Sequence, residues 1–339
     1  MEYIRRVLET YNIYPLEIDK ISKRLYRIKG HNQVYALKKS SLTSDTLPLW
    51  LNNYQIANAL NLVHILPVYL NRSGDLQTEQ DGDIYYLTPW IQSVNRANSL
   101  EKIYQSLGLI HAKTRQVNRI SDKPRQDIRE SFLIYKQKMT DLKKDLLKHV
   151  ERFEQRHFMS PIELLVCTQY RDVVHACYLL DRRLNQYLDQ LEELTEWRIC
   201  LCHGRLIPEH ILQNDHTYLV NWEHASYKHP IDDLTTLLGA NAINYDAETK
   251  DLMQEFNHYM DENKLENHEL NLLGIYLLDP TAYITLIDQF TSTASEKSMI
   301  EQVVQIQRLH RQLLFGVQFS EHITAEYEML SFDESSSDA

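Results

Sequence analysis

Glycine is scarce in this 339-residue chain, with 8 in all, about a third of the ~7% share of an average protein. So few glycines leave little room for loops whose backbone must approach a phosphate closely. Cysteine is sparse too, at Cys167, Cys177, Cys200 and Cys202. Cys200-Leu201-Cys202 is too tightly spaced for the usual zinc pair, and no second cysteine pair or spaced histidine pair completes a set. Buried free thiols are therefore expected. Net positive charge is absent, and a formal charge of -11 argues against binding to nucleic acid or to an anionic membrane. No apolar run is expected to cross a bilayer. Met1–Asn12 mixes Glu and Arg with apolar residues and lacks the apolar stretch of a signal peptide. The chain is thus expected to be made and kept in the cytoplasm of the cell that produces it.

What is present is a globular composition, 43% hydrophobic and 24% charged, over a length that allows one large or two smaller domains with a sizeable core. Residues 1–14 read as a short helix. Strands are expected at Leu16–Ile21, Leu25–Ile28 and Gln33–Lys39, the last two joined by a turn at Lys29-Gly30-His31-Asn32. Leu47, Trp50, Leu51, Tyr54 and Ala57 recur at helical spacing, with Ser44 or Asp45 as the cap. Two further strands are expected at His64–Leu70 and Asp83–Pro89.

Beyond Trp90 the pattern turns helical. Ser99–Val117 carries Leu100, Ile103, Leu107 and Ile110 on one face. Ile128, Phe132, Tyr135, Met139, Leu142, Leu146, Val150 and Phe153 then step by threes and fours. Ser160-Pro161-Ile162-Glu163 reads as a capping box opening a second long helix. A helical hairpin over about 125–197 follows, packed on the helical part of the chain or, alternatively, open to a partner. Residues 200–223 read as strand, loop, strand, the remainder to about Leu330 as helical, and 331–339 as a disordered polar tail.

The segment Leu201-Cys202-His203-Gly204-Arg205-Leu206-Ile207-Pro208-Glu209-His210-Ile211-Leu212 resembles the catalytic loop H-G-D-x-x-x-x-N-x-L of aminoglycoside-phosphotransferase and choline-kinase-like enzymes. Eleven residues beyond His210, Val220-Asn221-Trp222-Glu223-His224-Ala225 is similar to that superfamily's I-D-[FW]-[ED]-x-A. Pro230-Ile231-Asp232-Asp233-Leu234 follows as P-x-x-D-L. Upstream, Tyr35-Ala36-Leu37-Lys38 resembles the A-x-K strand, and Leu107-Gly108-Leu109-Ile110-His111 the L-G-x-x-H helix. The aromatic Tyr85-Tyr86-Leu87-Thr88-Pro89-Trp90-Ile91 and the helical hairpin further resemble the spore-coat (CotS-type) branch.

The resemblance implies an α+β, two-lobed kinase-like fold: an antiparallel-sheet N-lobe at 1–90 and a mainly helical C-lobe at 91–330. It places Arg205 where the catalytic Asp would sit, His210 at the Asn position and Asn221 at the metal-binding Asp. An arginine cannot accept a proton near neutral pH, and magnesium prefers hard anionic oxygen to an amide or an imidazole. Asp, Asn, Asp carries two negative charges, while Arg205, His210, Asn221 carries one positive. Phosphoryl transfer rests on positioning and electrostatics, so the chain is expected to be a pseudokinase, with no catalytic residues and no cofactor.

Lys38 is expected as a vestigial phosphate contact or a solvated strand lysine. It should lack an ion pair, because Thr46–His64 contains no Asp or Glu. The first hairpin, Ile18–Arg24, has no glycine for a phosphate cradle. Glu223 and Asp233 remain as possible metal contacts, although each reads more simply as a bracing acid. His203 reads as a structural histidine, and Arg205 as the partner of Glu209, Glu223 or another nearby acid, with anion binding as the alternative. The resemblance further implies other spore-coat proteins as partners and a passage from mother-cell cytoplasm to coat. An atypical active small-molecule kinase and a nucleotide or anion sensor without turnover are the alternatives.

Overall fold

This computed structural model describes residues 2–92, 99–243, 249–292 and 297–328; the tail at 331–339 lies outside them. In chain order the first elements are α1 (Glu2–Thr10), β1 (Glu17–Lys20), β2 (Leu25–Lys29), β3 (Val34–Lys39), α2 (Leu47–Ala59), β4 (Thr78–Gln80) and β5 (Asp83–Pro89). Next come α3 (Leu100–Lys113), β6 (Gln116–Arg119), α4 (Asp122–Glu154), α5 (Pro161–Glu193), β7 (Glu196–Cys202), β8 (Ile211–Gln213), β9 (Thr217–Leu219) and β10 (Ser226–Lys228). The remaining helices are α6 (Ile231–Ala242), α7 (Thr249–Gln254), α8 (Asn257–Glu262), α9 (Asn267–Leu277), α10 (Thr281–Ser292) and α11 (Met299–Ile323). The class is the expected α+β. By internal contacts the chain divides into Met1–Arg115 with Cys200–Asp233, and Gln116–Ile199 with Leu234–Ala339.

In the first unit, β1-β2-β3-β5-β4 form one antiparallel sheet. Strand side chains alternate between faces, and this alternation builds the site. Tyr26, Ile28, Leu37, Tyr85 and Leu87 pack on Ile4, Val7 and Leu8 of α1, which sit at the i, i+3, i+4 spacing of one helix face. Their neighbours Leu25, Arg27, Ala36, Lys38, Tyr86 and Thr88 face the other way, into a cavity. Helix α2 buries Trp50, Asn53, Tyr54 and Ala57. Trp50 stacks near Tyr86 with ring centroids 5.2 Å apart, and Asn53 Nδ2 donates to the Ala225 carbonyl at 2.8 Å.

Three expectations are corrected. His64–Leu70 is not a strand: it makes an isolated bridge from Ile65 to Leu219, because Pro67 has no N–H to extend a ladder. Thr46, rather than Ser44 or Asp45, occupies the cap position of α2. Helix α3 stops at Lys113, and Gln116–Arg119 is strand instead.

In the second unit, α4 and α5 are the expected hairpin, 33 residues each. The capping box is present: the Ser160 N–H donates to Glu163 Oε2 at 2.7 Å and the Glu163 N–H to Ser160 Oγ at 3.4 Å. Helix α5 buries a continuous face against α4, α9 and α11. The stretch Asn267–Ser292 is long and apolar enough to cross a membrane by length and composition alone, but it folds as α9 and α10 around Asp279-Pro280, with 72% of its apolar window buried inside the protein.

Candidate functional site

The loop after β7 depends on one glycine. Gly204 has φ +78, and a Cβ there would overlap the His224 carbonyl oxygen, so only glycine fits. Asp233, fully buried, fastens the turn by accepting the His203 N–H at 2.6 Å and the Gly204 N–H at 2.9 Å. Burial works against its charge, but His111 and these donors hold its pKa below the ordinary carboxylate value. Gly204→Ala is expected to destabilise the protein by about 3 kcal/mol, from strain plus overlap. Gly74→Ala, at φ +86 but in open space, should lose about 1 kcal/mol. Denaturant midpoints of the two variants check the contrast.

His203 is a structural histidine, as expected. Burial pushes its pKa down, so the imidazole is neutral. Its Nε2–H donates to the Val220 carbonyl at 2.8 Å, and Nδ1 accepts the Arg205 N–H at 3.3 Å. His210 is likewise lowered, first by burial and then by the charges of Lys38 and Arg205. Its Nδ1–H donates to the Arg205 carbonyl at 2.8 Å, which leaves Nε2 to accept from Asn221 Nδ2 at 2.7 Å. Asn221, in the left-handed region at φ 71, turns its Oδ1 to accept a hydrogen bond from Lys38 Nζ. Lys38, Asn221, His210 and the backbone of Arg205 are thus joined in one directional chain.

Lys38 does have an ion pair, contrary to expectation. Its Nζ lies 2.9 Å from Glu223 Oε1. The acid comes from the 3-10 turn Trp222–His224, far along the chain, which a search of the helix after β3 could not find. Glu223 is saturated: Oε1 also accepts from the Tyr86 hydroxyl at 3.1 Å, and Oε2 accepts from the Ser41 N–H at 2.9 Å and from Ser41 Oγ. Burial alone would raise the Glu223 pKa, but Lys38 and the Ser41 hydrogen bonds outweigh it and hold the carboxyl at about 2. Burial also pulls the Lys38 pKa below its ordinary value, against the attraction of Glu223.

The side chain of Arg205 is exposed and makes no ion pair with Glu209 or Glu223. The turn between β1 and β2 is closed on itself. Ser22 Oγ accepts the N–H groups of Arg24 at 3.2 Å and Leu25 at 3.1 Å, donors that a phosphate cradle would need to leave free.

These residues do not fit magnesium. The ion requires several oxygen ligands in octahedral array. Asn221 Oδ1 is taken by Lys38, both Glu223 oxygens are occupied, His210 offers nitrogen, and Asp233 is enclosed by the loop it braces. The cavity nonetheless persists, at about 760 Å³, within the usual range for a small-molecule site. Leu25, Ala36, Leu66 and Leu212 give it an apolar lining, and Arg24, Arg27, Lys38 and Arg205 give it cations, against Glu209 and Glu223. Sequence reasoning misses Arg24, Arg27, Ser41 and Tyr86 as site residues. Strand alternation about Lys38 is the signal that could reveal Tyr86, its cross-strand partner; no motif marks the others.

The model of the phosphotransferase enzyme family matches residues 15–263. Among solved structures, an aminoglycoside phosphotransferase from Alicyclobacillus acidocaldarius aligns with a TM-score of 0.65 at 16% identity, over 94% of this chain and 96% of that one. Spectinomycin phosphotransferase, solved with ADP and spectinomycin, gives 0.57 at 12% identity over 95% and 98%. Amicoumacin kinase, solved with AMP-PNP and calcium, gives 0.50 at 14% identity over 92% of each chain. No curated protein sequence matches significantly. Identities this low establish the fold and leave the chemistry to be read from the site.

Proposed function

The chain belongs to the phosphotransferase enzyme family, and from that premise we propose that it is a catalytically inactive member working through protein contacts. The observation carrying this reading is the hydrogen-bonded chain from Lys38 to Arg205, which fills the metal positions with protein donors and acceptors. The motif resemblance suggests the branch containing the spore-coat proteins CotS, YutH and YsxE, with YsxE as the individual resemblance. On that reading the protein is made in the mother cell and serves in spore-coat structure or assembly beside other coat proteins.

Transfer of labelled phosphate from ATP to a broad panel of alcohol and amine acceptors is expected to stay at the level of Lys38→Ala, with or without magnesium. Transfer that Lys38→Ala abolishes would return the protein to the active kinases. The coat role predicts enrichment in purified coat layers and an altered coat in a strain lacking the protein. Its absence from those layers together with a normal coat overturns that role.

A second reading is a sensor that binds a nucleotide or another anion without turnover, favoured by the retained cavity and its excess of cations. Thermal unfolding with millimolar ATP, in magnesium and in chelator, separates the two. Ligand at a hundred times its dissociation constant stabilises by about 2.7 kcal/mol. A shift that persists in chelator supports the sensor; no shift in either condition supports the scaffold.

A further inference from the structure

Away from the cavity, the fold brings together three side chains that the sequence holds far apart. His111 from α3 meets Cys200 and Cys202 of β7, and their ligand atoms all lie within 4.8 Å of one another. The three residues are 0%, 2% and 0% exposed respectively. The tight Cys-x-Cys spacing, unpromising in a loop, is suited to a strand, where residues i and i+2 share a face.

The two sulfurs are 3.7 Å apart. With zinc–sulfur bonds of about 2.3 Å at tetrahedral angles, two thiolates would stand about 3.8 Å apart. The histidine has a carboxylate beside it: its Nε2 lies 3.4 Å from Asp233 Oδ2. A carboxylate behind a ligating imidazole is the usual outer partner of a metal-bound histidine.

We infer that His111, Cys200 and Cys202 form a buried site for a thiolate-binding metal ion, zinc by its sulfur and imidazole donors. The backbone carbonyl of His229 lies 3.4 Å from Cys202 Sγ. Zinc binds thiolate, so each cysteine that ligates it gives its proton to solvent. The ion would clamp α3 to β7 and to Asp233, which braces the His203-Gly204 turn. This assignment is independent of whether the cavity is catalytic.

The opposing reading is a pair of buried thiols, with Cys202 Sγ donating to a carbonyl of Lys228 or His229. The test uses the full chain, purified without metal resin. Mass spectrometry should find a single zinc per chain, and an organomercurial should release it into a chromogenic chelator, a check that needs no variant. Stripped protein titrated with cobalt(II) should show thiolate-to-metal absorption in the near ultraviolet and strong visible bands of tetrahedral cobalt. Cys167→Ser/Cys177→Ser should keep these bands, and Cys202→Ala should lose the near-ultraviolet intensity that two thiolates produce. Absence of metal and of cobalt bands in the native chain, or bands unchanged in a folded Cys202→Ala, overturns the site.

Discussion

Glu223→Gln is expected to lower the unfolding free energy at neutral pH by about 3 kcal/mol. The substitution leaves a carbonyl oxygen for Ser41 and Tyr86 but strands the Lys38 ammonium, whose side chain is 21% exposed. Removing one partner of a buried pair is destabilising by about 3–5 kcal/mol; the remaining bond to Asn221 puts this case at the low end. The pH dependence gives a second, independent reading. Glu223 is held at about 2 against an ordinary value of 4.5. A depressed acid contributes stability in full above its unfolded value, and loses it as pH falls from there through the folded value. The gap between the natural protein and Glu223→Gln should therefore be constant near neutrality and close between about pH 4.5 and 2. Asp233, also depressed, is common to both proteins and cancels in the difference. Lys38→Met/Glu223→Gln, which removes both charges and keeps an acceptor oxygen for Ser41 and Tyr86, should recover most of the loss. Chemical denaturation across that pH range checks all three. A gap that stays open at low pH would mean the Glu223 charge is not what stabilises the cavity.

Arg205→Asp/His210→Asn/Asn221→Asp is expected to acquire a magnesium-dependent response to ATP that the natural protein lacks. The three positions move from one positive charge to two negative, a swing of three. The carboxylate introduced at position 221 would stand beside Glu223 and compete with it for Lys38, freeing carboxylate oxygen for a hard cation. The amide introduced at position 210 would end the imidazole link to position 221 and supply an oxygen ligand. In saturating ATP the gain in stability from magnesium should approach about 2.7 kcal/mol at a hundred times the dissociation constant. A variant that folds but shows no magnesium dependence would place the defect in the closed Ser22–Leu25 turn, whose N–H groups are already taken.

The parts of the site legible in the sequence are those fixed by local rules. His203-Gly204 and Pro230–Asp233 mark a loop whose backbone needs a glycine at positive φ and a buried acid to receive its N–H groups. Asp83–Pro89 is legible at its observed bounds because its apolar run ends at Pro89, and α5 because a capping box is written in consecutive residues. The parts that escape a sequence reading depend on partners distant in the chain. Lys38 reads as lacking an acid when the search follows the chain into α2, where this acid does not lie. The Cys200-Leu201-Cys202 spacing reads as unsuited to a metal because the sequence does not say that α3 will deliver His111 to that face of β7.

By itself the sequence determined the α+β class and the order of most of the elements about the site, since side-chain chemistry and periodicity are local properties. Only the tertiary structure decided how Arg205, His210 and Asn221 are held: a hydrogen-bonded chain from Lys38 to Arg205, with Glu223 saturated by Lys38, Tyr86 and Ser41. The physical reason is that a buried polar group must find a partner. Which partner it finds is set by the packing of strands and turns that meet only when the chain has folded.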